Sequence, residues 1–224
     1  MKLVIWNCKS KFREKFHLLS QLDADILIIS ECENPETSTS QAYREWAKQY
    51  RWIGLYHWKG LGVFAKEGIC LELCDWNDYL FRNYLPLKIN GQYTLLALWA
   101  QRPYIEDVLK YLSIHYDKIN QDTIIAGDFN SSVIWDVKHD FRNHSYLNHL
   151  LARKNLFSVY HTLNEEAFGQ EVHSTFFMYH KSNKPYYIDY CYCRKDLMKS
   201  CSVLDSKNWL TVSDHTPIFI ELEL

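Results

Sequence analysis

Asp128 stands at the end of the run Ile124-Ile125-Ala126-Gly127 and opens into Phe129-Asn130, so a carboxylate follows directly on a stretch of strand character. A buried strand that ends there presents its acid at the mouth of a loop, where catalytic acids are usually held. Two other segments repeat the pattern. Glu31 follows Ile26-Leu27-Ile28-Ile29-Ser30, and Asp214-His215 lies between Val212-Ser213 and the run Pro217-Ile218-Phe219-Ile220. Acids drawn from distant parts of one chain to strand ends make an oxygen-rich donor set, which suits a hard cation such as Mg²⁺ or Mn²⁺.

The chain that must position them has 224 residues and is 47% hydrophobic, enough for one large core, and residues 1–224 read as a single domain. Its formal charge of −2 supplies no global field to concentrate a polyanion. Contact with nucleic acid must then rest on local charge, metal and stacking, which argues against a tight nonspecific DNA binder. Aromatic residues make up 16% of the chain, with 8 Trp and 16 Tyr, sufficient for a core and an aromatic-lined cleft. The apolar stretch Leu3 to Trp6 is far shorter than a signal-peptide core, and nothing approaches a membrane span. Seven cysteines, an odd number without Cys-x-x-Cys pairs, fit a reducing cytoplasmic compartment better than a disulfide framework or a zinc site.

Short strands alternate irregularly with a few helices. Leu3-Val4-Ile5-Trp6 reads as a strand, Phe12, Phe16 and Leu19 follow at helical spacing, and Asp23-Ala24-Asp25 turns the chain into a second strand. Tyr43, Trp46, Ala47 and Tyr50 form another helical stripe, after which Leu61 to Phe64 and Ile69 to Leu73 read as strands joined by a turn at Lys66-Glu67-Gly68. Asn90-Gly91 between two apolar runs predicts a hairpin of Leu85 to Ile89 with Tyr93 to Trp99. Pro103 can open a helix carrying Val108, Leu109, Leu112 and Tyr116, which leads to a strand at Thr123 to Ala126. A further helix is expected over Tyr146 to Lys154, and strands over Ser174 to Met178, Tyr186 to Cys193 and Ile218 to Leu222. Hairpins mixed with helices argue for packed sheets with outer helices.

Asn7 after the first strand, Glu31 after the second, Gly127-Asp128-Phe129-Asn130, Tyr187-Ile188-Asp189-Tyr190 and Ser213-Asp214-His215 follow one another over nearly the whole chain. In order and spacing they resemble the endonuclease/exonuclease/phosphatase superfamily, which includes deoxyribonuclease I, abasic-site endonucleases of the exonuclease III type, sphingomyelinases and inositol polyphosphate phosphatases. The resemblance implies an α/β fold, a four-layer α/β sandwich of two packed mixed β-sheets flanked by helices. It also implies hydrolysis of phosphodiester bonds with Mg²⁺ or Mn²⁺ as cofactor.

Under that resemblance Glu31 is the principal metal ligand, with Asn7 and Asp214 completing the inner or outer shell; the plain alternative for Glu31 is a solvated acid at a strand end. Asp128 orients or deprotonates the attacking water. Asn130 hydrogen-bonds that water or a phosphoryl oxygen if the backbone stays extended, or else stabilises its own turn. Asp189 accepts from the His215 imidazole, and His215 acts either as a cation beside the pentacovalent phosphorus or, neutral, as a base. Where relatives often carry His or Tyr near the end of the central strand, this chain has Trp99, an N–H donor that cannot exchange a proton at neutral pH. Arg102 is open to a phosphate clamp or an exposed salt bridge, and Glu33 to metal binding or solvent. Trp135, Phe177, Tyr179, Tyr186 and Trp209 are candidates for stacking on unpaired bases, and Lys138, Arg142, Lys181 and Lys184 for local positive charge. The expected substrate is DNA or RNA, with no membrane partner. A small phosphorylated molecule, or a catalytically silent binding module of the same fold, are the alternatives.

Overall fold

The structure is a computed structural model that describes residues 1–181 and 183–224. The first strand, β1 (Lys2–Asn7), has apolar residues on both sides of its alternation, and both sides are buried. Leu3 and Ile5 enter one apolar cluster while Val4 and Trp6 enter a second with Phe12, Tyr43 and Trp209. A period of two with both faces apolar places a strand between two layers.

The first half of the chain continues as β2 (Ile26–Cys32), α1 (Gln41–Trp46), β3 (Tyr50–Tyr56), β4 (Lys59–Ala65), β5 (Leu71–Leu73), β6 (Tyr84–Ile89), β7 (Tyr93–Trp99) and α2 (Ile105–Ile114). The second half is β8 (Thr123–Asp128), α3 (His144–Ala152), β9 (Phe157–Ser158), α4 (Val159–Asn164), β10 (Phe176–Phe177), β11 (Pro185–Tyr186), β12 (Asp189–Cys193), β13 (Met198–Val203), α5 (Ser206–Trp209) and β14 (Ile218–Leu222). Two six-stranded sheets result, ordered β13-β14-β1-β2-β4-β3 and β5-β6-β7-β8-β12-β9, with β10-β11 a separate small hairpin. Each large sheet has one parallel pair near its centre, β1 with β2 and β7 with β8, and antiparallel neighbours outside it. Leu3, Ile5, Ile26 and Ile28 of the first sheet share one core with Leu96, Leu98, Ile124 and Tyr190 of the second, so the sheets pack face to face. Helices cover the outer faces, giving the expected α/β sandwich of two mixed sheets. No helix among the described residues is long and apolar enough to cross a membrane.

The structure departs from the periodicity in definite places. Phe16, Leu19 and their neighbours form 3₁₀ turns, not an α-helix. The helix carrying Tyr43 ends at Trp46, and Tyr50 begins the edge strand β3, whose half-exposed residues show no clean alternation. Leu61 to Phe64 and Leu71 to Leu73 lie in different sheets, so the turn at Lys66-Glu67-Gly68 is a crossover, not a hairpin. Pro103 precedes α2 instead of opening it, and Tyr116 falls beyond its end. Strand β13, built from Met-Lys-Ser-Cys-Ser-Val, carried no apolar pattern to find.

Candidate active site

The site lies where strand ends from both sheets meet. Asp128 is the last residue of β8, and across the sheet it is in register with Trp99 of β7 on one side and Asp189 of β12 on the other. Two carboxylates opposite one another in neighbouring strands is an unfavourable pairing in an ordinary sheet. Gly127 makes the row possible: its φ is 147°, and a Cβ there would meet the carbonyl oxygen of Leu98 at 1.9 Å. Only glycine fits that approach.

Asp128 is fully buried, and its carboxylate accepts three N–H groups. Oδ1 takes the backbone N–H of Asn130 at 2.8 Å, while Oδ2 takes the side-chain amides of Asn7 at 2.9 Å and Asn130 at 3.3 Å. Burial and the neighbouring Asp189 push its pKa up to about 7, against the lowering pull of His215 and the amide donors. Asn130 does not continue an extended backbone. It sits at φ 48°, and its amide returns to Asp128 and to the carbonyl oxygen of Ala100 at 3.1 Å.

Glu31 occupies the extra position of a β-bulge between Ser30 and Cys32, where β2 slips against β4. Its φ of 65° is left-handed, and the bulge re-aims its side chain. Asn7 Nδ2 donates to Glu31 Oε1 at 3.3 Å as well as to Asp128, so one amide ties the two acids together. In this orientation Asn7 Oδ1 accepts the backbone N–H of Lys9 at 3.0 Å.

The turn Ser213-Asp214-His215 is fastened to the end of β1. Ser213 Oγ donates to the Asn7 carbonyl at 2.7 Å and accepts the His215 N–H at 3.0 Å; the Trp6 indole donates to the His215 carbonyl at 3.0 Å. Lys15 Nζ donates to the carbonyls of Cys8, Ser10 and Val212, closing the loop from the other side. These bonds carry His215 to Asp189, with Nδ1 and Oδ2 at 3.0 Å. Burial pulls the imidazole pKa down, but the Asp189 carboxylate beside it, helped by Asp128 and Asp214, raises it to about 9. His215 is therefore a buried imidazolium at neutral pH.

Asp128, Asp189 and His215 each offer a ligand atom within 4.8 Å of the others. Asp189 Oδ1 is buried with no hydrogen-bond partner among the described residues, an acceptor left free for a cation, its water or a substrate proton. Glu31 and Asp214 are only partly buried, and each is balanced by a lysine, Glu31 by Lys59 at 2.8 Å and Asp214 by Lys9 at 3.0 Å. An oxygen-rich set of two buried and two partly exposed carboxylates fits a hard divalent cation.

The aromatic and basic candidates divide. Trp99 and Arg102 line one cleft of about 560 Å³ beside the site, and Arg102 is exposed there with its Nε on the Tyr104 hydroxyl at 3.3 Å. Phe177 turns inward, with its N–H on the Asp214 carbonyl at 2.8 Å, whereas Tyr179 is 71% exposed beside Lys184. The neighbour Phe176 is the ring that reaches His215, at 4.7 Å, because adjacent strand residues point to opposite sides. Behind it Tyr186 and Trp135 continue an aromatic series. Trp209 packs on Trp6 at 5.1 Å and is a core residue. Arg142 pairs with Glu106. Glu33 neither faces solvent nor approaches the site: its carboxylate accepts the N–H groups of Phe12 and Arg13 and pairs with the Arg13 guanidinium. Lys59 and Phe176 were not legible as site residues, since neither stands next to a motif block; the pairing of β4 with β2 brings Lys59 to Glu31, and a bridge between Phe176 and His215 brings in the other.

A sequence profile described as the endonuclease/exonuclease/phosphatase family matches residues 6–215, and the chain belongs to that family, whose chemistry is the hydrolysis of phosphodiester bonds, in general with a divalent metal. No curated protein matches it in sequence. Among solved structures it is similar to an AP endonuclease from Archaeoglobus fulgidus, at 16% identity and a TM-score of 0.76 over 100% of both chains. It is also similar to a 3' phosphatase from Neisseria bound to product DNA hairpin, at 15% identity and a TM-score of 0.73 over 100% of both chains. A third likeness is to the endonuclease domain of a telomere-specific non-LTR retrotransposon, at 17% identity and a TM-score of 0.68, covering 100% of this chain and 98% of that one.

Proposed function

We propose that this protein is a divalent-cation-dependent nuclease that cleaves phosphodiester bonds of DNA or RNA by attack of water. The observation that carries the reading is the convergence of Asp128, Asp189 and His215 within 4.8 Å, with Asn7 joining Asp128 to Glu31. Glu31, with Asn7 and Asp214, would hold Mg²⁺ or Mn²⁺, and the bound ion would neutralise charge on the phosphoryl oxygens. Asp128, its carboxylate fixed by three N–H donors, accepts a proton from the attacking water. Asn130 and Asn7 hold that carboxylate in one orientation throughout. His215, kept protonated by Asp189, donates to a phosphoryl oxygen as the phosphorus becomes five-coordinate. The bond from phosphorus to the leaving oxygen then breaks, and the leaving oxygen takes a proton from solvent water, giving a phosphomonoester and an alcohol. Trp99, Arg102 and Tyr179 are assigned to substrate contact, Trp99 and Arg102 through the cleft they line; Phe177 turns inward and its neighbour Phe176 takes the place beside His215.

The reading treats residues 1–224 as one catalytic domain, because one apolar core joins both sheets. Seven unpaired cysteines support a reducing, cytoplasmic setting. The test is a substrate panel of plasmid, single-stranded DNA, RNA, abasic duplex and inositol phosphates, each with Mg²⁺ or Mn²⁺. Cleavage confined to the polynucleotides is the expected result. Activity on inositol phosphates alone overturns the nuclease assignment, and metal binding with no turnover on any substrate overturns the enzyme assignment.

A further inference from the structure

The hairpin of β3 and β4 ends in two aromatic side chains that the core does not use. Tyr56 and Trp58 are 53% and 55% exposed, and their rings stack on one another at 4.6 Å and 12°. Leu80, on the facing segment, is 90% exposed. A lone exposed apolar residue needs no explanation, but several around one concavity mark a binding surface. They rim the cleft of about 560 Å³ whose inner wall includes Trp99, itself in register with Asp128.

Charge on that cleft differs from charge on the chain. Against a net −2 overall, Lys59, Arg82 and Arg102 line it with one carboxylate, Asp107. Lys59 stands at the junction with the catalytic groups: its Nζ is 2.8 Å from Glu31 Oε2 and 5.3 Å from the centre of the Trp99 ring. Asn83 and Gln101 add amides that can meet base edges.

The aromatic tip is held in place before anything binds. The Trp52 ring lies across Gly54 and Gly60, where added Cβ atoms would meet it at 2.5 and 2.4 Å, and its indole donates to the Cys32 carbonyl at 3.1 Å. Asn34 N–H donates to the His57 carbonyl at 2.8 Å, inside the turn itself. A fixed tip loses little freedom when it stacks on a ligand.

We propose that this cleft binds unpaired nucleobases of a single-stranded segment that runs into the active site, with Tyr56 and Trp58 as the stacking platform and Lys59, Arg82 and Arg102 on the phosphates. The proposal rests on the phosphodiesterase reading and names its substrate class. Bases within a duplex hide their faces in the helical stack, so a platform of exposed ring faces selects bases that have none. A lipid surface would call for an apolar face free of cations at its centre; here the cations lie within the concavity among the rings. Duplex phosphate alone would need no rings.

The test uses the intact protein in chelator, so that nothing is cleaved, with labelled oligothymidylate and a blunt duplex of equal length measured by fluorescence anisotropy. Single strand should bind at least roughly 10-fold more tightly than duplex, and Trp58→Ala should lose roughly 10-fold of that affinity, with Trp58→Phe restoring most of it. Arg82→Ala should weaken binding and flatten its salt dependence. Equal affinity for both nucleic acids, or an unchanged Trp58→Ala with native circular dichroism, overturns the proposal. So does binding to phosphatidylglycerol vesicles that Trp58→Ala abolishes while oligothymidylate binding persists. Hydrolysis of bis-p-nitrophenyl phosphate with Mn²⁺ by the unaltered protein tests the parent reading separately: turnover there with no single-strand preference removes the cleft assignment alone. Absence of turnover with a retained preference removes the hydrolase reading alone.

Discussion

Replacing Asp189 by Asn keeps a hydrogen-bond acceptor for His215 Nδ1 and removes one negative charge 3.0 Å away. That charge is what holds the buried imidazole at about 9 against the pull of its surroundings. Without it, the group falls back toward its ordinary value of 6.5, since burial then offsets the remaining pull of Asp128 and Asp214. A difference of more than two units is about 3 kcal/mol of preference for the charged form. At about pH 6 both proteins carry mostly imidazolium, so the His215 charge accounts for less than about 3-fold in rate, and the variant, with Asp128 no longer raised by Asp189, should be at least as fast there. At about pH 8.5 the normal protein keeps most of its charge while the variant retains only about one part in 10², so the rates should separate by roughly 10²-fold. The assay is single-turnover cleavage of a labelled oligonucleotide across this pH range at saturating Mg²⁺, with the His215 ring nitrogens followed by ¹⁵N NMR. A ratio that stays constant with pH would refute the argument that Asp189 works by setting the charge of His215. A variant that gains rate at high pH would show that the neutral imidazole is the working form.

The other expectations concern the remaining acids and the backbone that aligns them. Asp128→Asn should lower turnover by at least roughly 10²-fold in single-turnover assays with circular dichroism unchanged, since an amide cannot accept the proton of water; near-normal turnover would remove Asp128 from that role. Glu31→Gln should raise the Mg²⁺ concentration needed for half-maximal rate while leaving stability in chelator close to normal, and an unchanged Mg²⁺ activation curve would exclude it as a ligand. Gly127→Ala should destabilise the fold by about 2 kcal/mol or more through strain at its φ and the clash with Leu98, measured as a shift in the urea midpoint. A midpoint equal to that of the unaltered protein would show that β7 and β8 can separate at no cost.

Strand β1 and strand β2 could be read from the sequence because Leu3 to Trp6 and Ile26 to Ile29 are apolar without a break, which leaves a strand buried on both faces as the physical solution. The acids were visible for the same reason, as charges set abruptly against those runs. Strands β3 and β13 lie at the edges of the first sheet, half exposed, where burial imposes no alternation on the side chains. The turn at His57-Trp58 contains no glycine or asparagine to announce a hairpin. Lys59 enters the site through the pairing of β4 with β2, and Phe176 through a bridge to His215, contacts that no local pattern announces. Asn7 was visible as a candidate ligand, but its amide orientation, donating to two carboxylates at once, depends on neighbours 24 and 121 positions away in sequence.

The cross-sheet geometry also accounts for the chemistry the two acids of the second sheet can do. Asp128 and Asp189 lie opposite one another in adjacent strands, buried, where two full negative charges repel strongly in a poor dielectric. The arrangement persists because each acid has a different answer to that repulsion: Asp128 is held by amides from β1 and from its own turn, and Asp189 by the imidazolium delivered on the loop before β14. One carboxylate is thereby poised near neutrality to exchange a proton with water, while the other is committed to keeping a cation charged. Exchanging these environments would exchange the roles, so the division of labour belongs to the partners, not to the aspartates.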